Sequence, residues 1–282
     1  MTPTAGASFS RAMDLRALDP CGPPEERRYA ADLSPQWTIG PKIHGGIMAA
    51  LCARAAHRSV HEDPVTTETV PLALSASFLS APDPGPVQLW TTVRKRGRRI
   101  NLVDVELVQH ERVAVRAVVT VGIGESSGPP LLTAESVIAR MGPEPPVGLD
   151  QIGPGHPAAE INHLAAGCDI RPDMASVWTH PAGVPPLTRT WIRPRGEPTD
   201  LYFALVAGDI SMPVTFAVGR TGWAPTVQLT AYLRAAPVDG WLRVSCTTTQ
   251  IGETWFDADH TVVDSAGRIV VQTRQLAMVP AP

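Results

Sequence analysis

Four groups of residues have types and spacings that can do chemistry. Gly45-Gly46 precede a run of Ile47, Met48, Ala50, Leu51 and Ala55, and so open a helix whose first two residues carry no side chains. The unpaired N–H groups of such a helix start favour an anion or a developing oxyanion, and glycine lets a reacting group approach the backbone closely. His57 and His61 stand four apart and can share one helix face, but no further ligand accompanies them, so a metal site is set aside. Arg94-Lys95-Arg96-Gly97-Arg98-Arg99 concentrates positive charge at one turn. A solvated hairpin tip is the plain reading of that run and phosphate contact the functional one. Gly124-Glu125-Ser126-Ser127-Gly128 has the form G-x-S-x-G, which requires a strand–turn–helix elbow; Pro129-Pro130 follow at once, so no helix can start there and a serine hydrolase is set aside.

The elements that must position these residues follow from composition and periodicity. The chain has 282 residues, enough for one large domain or two of half that size. Apolar residues make up 44% and charged residues 18%, which supplies a core and excludes a disordered chain. The net charge of −3 and pI of 6.2 give no strong field to hold nucleic acid, so no nucleic-acid partner is expected. Cys21, Cys52, Cys168 and Cys246 form no C-x-x-C pair and read as reduced thiols. No basic-then-apolar leader is present, and the longest apolar stretch, Ile47 to Ala56, contains Arg54 and is far short of the roughly 20 residues of a membrane span. A cytoplasmic protein without a membrane span is the expectation.

Residues 124–196 hold 12 of the 29 prolines, and the part up to about Ala165 has no long periodic run, which marks a linker between two similar halves. The predicted organisation is an N-terminal domain over 1–125, a Pro-rich linker over 126–165 and a C-terminal domain over 166–282. In the first half the helix from Gly45-Gly46 to about His57 is followed by period-2 runs around Leu72–Phe78, Val87–Val93, Asn101–Gln109 and Val113–Val121. In the second, Pro198-Thr199-Asp200 starts a helix reaching about Ile210, and strands are predicted over 226–235, 241–250, 254–263 and 268–279. The halves superpose at an offset of 154 or 155, with Gly97 on Gly252 and Phe78-Leu79 on Tyr232-Leu233. Each half is thus one helix followed by a four-strand antiparallel meander, with further strands before the helix at Arg27–Leu33, Ala175–His180 and Leu187–Ile192.

Ile43-His44-Gly45-Gly46-Ile47-Met48-Ala49-Ala50-Leu51 resembles the "GG-x-x-x-x-AL" start of the central helix of hotdog proteins. Phe78-Leu79-Ser80-Ala81-Pro82-Asp83-Pro84 resembles their "F-L-x-P-G-D-P" turn, and Gly267-Arg268-Ile269-Val270 through Gln275 is similar to the "G-x-L-V-A-x-x-x-Q" strand of the acyl-CoA thioesterase II family. The resemblance spans nearly all of residues 25–280. It implies an α+β double hotdog, two antiparallel sheets each wrapped around a central helix and joined edge to edge. It also implies hydrolysis of acyl-CoA without a covalent intermediate, no metal or redox cofactor, and a homodimer or higher homo-oligomer. The family's catalytic Asp, Thr and Gln correspond to Asp209, Thr226 and Gln275. Gln228-Leu229 stands where the family has Asp-His, Leu233 replaces the His of "F-H-R", and Leu276-Ala277 follows Gln275, which makes the chain a divergent relative.

A thioester requires a water nucleophile and a stabilised oxyanion. Asp209 can take the proton from water, Thr226 and Gln275 can orient that water, and the N–H groups of Gly45 and Gly46 can receive the oxyanion. His44 lines the same pocket, and the acyl chain is expected beside Met48 and Leu51. The first-half positions matching Asp209, Thr226 and Gln275 are about Ala55, Leu72 and Thr120. The first half keeps Gly-Gly but has no carboxylate, and the second has the carboxylate but starts its helix with Glu197-Pro198. One composite site per chain is therefore expected. An enoyl-CoA hydratase would need an Asp-x-x-x-x-His pair that neither helix carries. A non-catalytic acyl-CoA- or lipid-binding hotdog protein is the alternative.

Overall fold

The computed structural model describes residues 8–19, 22–61, 69–125, 128, 130–133, 141–178, 180–181 and 183–281. Two helices carry the architecture: α2 (Gly45–Val60) and α4 (Leu201–Ala207), with short α1 (Phe9–Ala12) and α3 (Met174–Trp178) beside them. The first half contributes β1 (Arg16–Ala17), β2 (Glu26–Leu33), β3 (Thr38–Ile39), β4 (Lys42–Ile43), β5 (Thr69–Phe78), β6 (Gly85–Lys95), β7 (Ile100–Gln109) and β8 (Arg112–Ile123). The second contributes β9 (Cys168–Pro172), β10 (Leu187–Pro194), β11 (Thr226–Leu233), β12 (Leu242–Thr247), β13 (Trp255–Val263) and β14 (Ile269–Met278).

Twelve of these strands form one sheet in the order β1-β2-β6-β7-β8-β5-β11-β14-β13-β12-β10-β9, while β3 and β4 form a separate hairpin. The two expected sheets are therefore one continuous sheet, joined edge to edge where β5 pairs antiparallel with β11. Ser75 faces Thr230, which stands 155 positions later, and Ser77↔Gln228 and Ala73↔Tyr232 lie symmetrically about that pair. The sequence offset thus coincides with a local two-fold relation between the halves. It also closes two strand edges that would otherwise present unpaired N–H and C=O groups.

The expected simple meander is corrected in one respect. β6-β7-β8 and β12-β13-β14 are meanders, but the first strand after each helix pairs with the last: β5 with β8 and β11 with β14. The segment after β5, with Pro82 and Pro84, lacks N–H donors that a tight hairpin to β6 would use, and the chain crosses instead. The predicted strand at Ala175–His180 is also corrected. Residues Met174–Trp178 are helical, and Ser176 caps back onto Asp173 through N–H and hydroxyl bonds. Within the proline-rich stretch, Ile152 bridges Ile170, and Pro157–Glu160 and His163–Ala166 form 3-10 turns.

α2 is buried along most of its length because Ala49, Ala50, Ala53, Ala55 and Ala56 let it lie flat on the sheet. α4 is shorter than predicted. Asp200 caps its start by accepting the Phe203 N–H at 2.7 Å. It stops at Gly208, where a Cβ would stand 2.6 Å from Thr273 Cγ2, so the turn is pressed directly onto β14. The two helices run antiparallel. Gly46 meets the Val206 backbone at one end, and His57 Nδ1 lies 2.8 Å from the Tyr202 hydroxyl at the other. A Cβ on Gly46 would come within 3.1 Å of Val206 Cα, and a backbone neighbour cannot rotate away. Gly46→Ala is expected to destabilise the fold by about 1–3 kcal/mol, outweighing alanine's better helix propensity. Denaturant unfolding of the purified variant checks this.

No helix among the described residues is long and apolar enough to cross a membrane.

Candidate active site

The β3–β4 hairpin delivers the chain to the start of α2. His44 N–H donates to the Trp37 carbonyl at 3.0 Å, and Thr38 Oγ1 lies 2.5 Å from His163 Nδ1. His44 is the N-cap residue, with extended backbone, but its side chain caps nothing on its own helix. Its Nε2 instead donates to the main-chain carbonyl of Asp209 at 3.0 Å. The other ring nitrogen, Nδ1, is buried with no partner among the described atoms.

Asp209 follows the last turn of α4, with its N–H on the Val206 carbonyl. A carboxylate at a helix C-terminus faces the negative end of the helix dipole, so the position is unfavourable on its own. The start of α2 compensates. The Gly46 N–H faces the Asp209 carboxylate and favours its charged form, and His44 Nε2 stands 3.8 Å from Oδ2. Gly45 makes the approach possible, because a Cβ there would lie 2.7 Å from Oδ2. The Asp209 side chain is only 7% exposed. Burial raises its pKa above the ordinary carboxylate range, and the His44 ring and the Gly46 N–H pull only part of the way back.

Thr226 and Gln275 meet on adjacent strands. The Thr226 hydroxyl donates to Gln275 Oε1 at 2.9 Å, and both residues are half-buried. Thr226 sits at a register shift between β11 and β14, which turns its side chain out of the regular ladder. Gln275 shares the inner face of β14 with buried Thr273, about 7 Å away along the strand. Thr273 donates to the Gly208 carbonyl, next to Asp209. The Thr226–Gln275 pair and Asp209 are thus carried by one stretch of β14.

The structure brings together Gly45, Gly46, His44 and Asp209, and separately pairs Thr226 with Gln275. Met48 lies one turn into α2 and is 3% exposed, with Leu51 fully buried behind it, so both belong to the helix–sheet core. A groove of about 760 Å³ lies behind the β3–β4 hairpin, bordered by Gln36, Thr38, Pro84, His156 and His163. None of the Asp209 cluster lines it, so the chemistry and the large groove are separate features. The basic tip between β6 and β7 lies at the opposite end of α2. Arg96 there donates to the Ser59 and Val60 carbonyls, and the 16-residue helix separates it from Gly45 by about 24 Å. The tip therefore caps α2 rather than bordering Asp209. Both His57 nitrogens are engaged, by Tyr202 and by the Thr69 carbonyl. Of the G-x-S-x-G run, Ser126 and Ser127 lie outside the described residues.

Sequence reasoning missed three residues next to Asp209. Ser211 Oγ lies 2.7 Å from His260 Nε2, and His260 Nδ1 lies 3.2 Å from Thr273 Oγ1. The available signal was a histidine on the inward face of β13, alternating with buried Phe256, Ala258 and Val262. Burial lowers the His260 pKa to about 4, so the ring is neutral at pH 7.

Comparison with solved structures places this fold. A protein of Thermobifida fusca YX provisionally described as a thioesterase II superposes with a TM-score of 0.81, at 24% identity over 99% of this chain and 100% of the other. A conserved protein of unknown function with a hot dog fold from Alicyclobacillus acidocaldarius gives 0.76, at 19% identity over 97% and 98%. The acyl-CoA thioesterase II TesB2 of Mycobacterium marinum gives 0.71, at 17% identity over 98% and 99%. At these identities the likeness establishes the fold, a hotdog α+β fold. Uncharacterized proteins of Mycobacterium tuberculosis and Mycobacterium bovis are 55% identical over 288 residues, covering 98% of this chain and 99% of theirs. Residues 33–122 match the acyl-CoA thioesterase N-terminal domain and residues 143–279 the acyl-CoA thioesterase C-terminal domain. The chain therefore belongs to the acyl-CoA thioesterase family, as a divergent member.

Proposed function

We propose that this protein is a double-hotdog acyl-CoA thioesterase with one composite water-activating site per chain. The observation that carries the reading is the seat of Asp209. Its carboxylate, supplied by the second half, rests on Gly45 and faces the Gly46 N–H of the first half. Neither half alone has both parts. The halves correspond to residues 1–125 and 166–282, joined through 126–165.

In the proposed reaction Asp209 takes a proton from water as the water oxygen bonds to the thioester carbonyl carbon. The carbonyl oxygen becomes an oxyanion. The pull of the Gly46 N–H on the Asp209 carboxylate is electrostatic, so it weakens when the carboxylate is protonated. That frees this N–H, beside the one on Gly45, for the oxyanion at the moment the charge develops. Collapse of the intermediate breaks the C–S bond, and the thiolate leaves with the proton held by Asp209. Thr226 spends its own proton on Gln275 Oε1. Its lone pairs and the Gln275 NH₂ group are then left to hold the water. His44 fixes the Asp209 backbone through Nε2 on its carbonyl.

Thiol release from short, medium and long acyl-CoAs tests the reading. Turnover of at least one is expected, and binding without any turnover would favour the acyl-binding alternative. Thr226→Val and Gln275→Leu are each expected to lower kcat by roughly ten- to a hundredfold, with the double variant little worse than either single one. Multiplicative losses would show that the two do not hold one water together.

A further inference from the structure

The side chains behind Asp209 form a hydrogen-bond chain whose direction is fixed at one end. A carbonyl can only accept, so Thr273 gives its single hydroxyl proton to the Gly208 carbonyl. Thr273 Oγ1 must then accept from His260 Nδ1, which carries the ring proton. In a neutral ring Nε2 is left as an acceptor, and it takes the Ser211 hydroxyl proton at 2.7 Å. The ring is neutral because His260 is 2% exposed and the cost of desolvating its charged form dominates. One imidazole thereby holds both flanks of Asp209: Ser211 directly, and Gly208 through Thr273.

The packing agrees. Gly208 has no room for a Cβ against Thr273, so the turn cannot lift from β14 without breaking this chain. On the opposite side His44 holds the Asp209 carbonyl. The backbone of the turn at 208–211 is therefore fixed at Gly208, at Asp209 and by the Ser211 side chain. The carboxylate has only two side-chain torsions left to place. Direct contact between His260 and substrate is not required for any of this.

We infer that His260 is a positioning residue for Asp209, holding the turn at 208–211 so that the carboxylate stays seated on Gly45-Gly46. The inference rests on the reading of Asp209 as the water-activating group. It is separate from the roles of Thr226 and Gln275, which orient water. It also assigns a function to Ser211 and Thr273, the two ends by which the ring reaches the turn.

The test compares Thr273→Val, which keeps the shape and removes the hydroxyl, with Thr273→Ser, which keeps the hydroxyl. Ser211→Ala and His260→Gln are measured beside them. Thr273→Val is expected to lower kcat by roughly ten- to a hundredfold with little change in KM, and to move the midpoint of the kcat/KM pH profile. Thr273→Ser is expected to restore both. Equal losses in Val and Ser variants would assign the effect to packing of the methyl group and overturn the inference, as would wild-type kcat in Thr273→Val. A readout independent of turnover is the His260 ring itself. Nitrogen-15 NMR is expected to find Nδ1 protonated and Nε2 bare at neutral pH, and a ring protonated on Nε2 would overturn the chain of donors. Should the wild type hydrolyse no acyl-CoA, the reading of Asp209 fails, while the ring measurement still decides whether this hold on the turn exists.

Discussion

Asp209→Asn is expected to abolish thioester hydrolysis while making the folded protein more stable at neutral pH. Asparagine keeps the shape and can still face the Gly46 N–H with an oxygen, but it cannot take a proton from water. General-base contributions suggest a loss of about a thousandfold in kcat. The stability effect follows from the raised pKa of the buried carboxyl. A group whose folded pKa lies above its unfolded value of about 3.9 contributes its stability fully below that unfolded value. The contribution is lost as pH rises through the folded value, because the ionised form is the one burial disfavours. Between those two values the wild type gives up this contribution progressively, and the Asn variant, with no carboxyl to ionise, does not. Thermal unfolding from acid to neutral pH should show the variant's advantage growing as pH rises. A less stable Asn variant at neutral pH would mean that Gly46 and His44 more than offset the cost of burial.

The second large effect is expected at Gly45. An alanine Cβ would stand 2.7 Å from Asp209 Oδ2 and 3.5 Å from Phe78 Cζ. The carboxylate must swing away, and in doing so it loses the Gly46 N–H. A displacement of about 1 Å at a reacting group can cost a hundredfold in rate, and a loss of that order in kcat is expected. The fold should be unharmed, since the clashing atom is a side-chain end and alanine favours the first helical turn by several tenths of a kcal/mol. Gly45→Ala and Gly46→Ala therefore separate two jobs of adjacent glycines. The first should lose activity at unchanged stability, whereas the second should lose stability by forcing apart two helix backbones. Paired measurements of kcat and unfolding midpoint check the contrast, and an active Gly45→Ala enzyme would show that the carboxylate need not rest there.

Much of this arrangement is legible in the sequence because it is written in local signals. Gly45-Gly46 before an alanine-rich run marks the start of α2, and the offset of 154 or 155 residues marks the two halves as one repeated unit. The division of Gly-Gly and Asp209 between the halves is also visible in the repeat. Strand pairing is not local. β5 and β11 alternate like ordinary meander strands, and nothing in their residues tells that each skips its successor to pair with the last strand of its half. Ala175–His180 looks strand-like in composition, yet the Asp173–Ser176 cap makes the segment helical. The hold on Asp209 from behind was illegible for a related reason. Ser211, His260 and Thr273 lie up to 62 positions apart, and only the β13–β14 register, which sets His260 opposite Thr273, brings them together.

The most direct test of Asp209 as the base is the pH dependence of kcat/KM, which reports the free enzyme. A single ascending limb is expected, with its midpoint above the ordinary carboxylate value of about 3.9 and absent in Asp209→Asn. A limb at the ordinary value, or one that persists at near wild-type rate in the Asn variant, would contradict the account and place the proton-accepting group elsewhere.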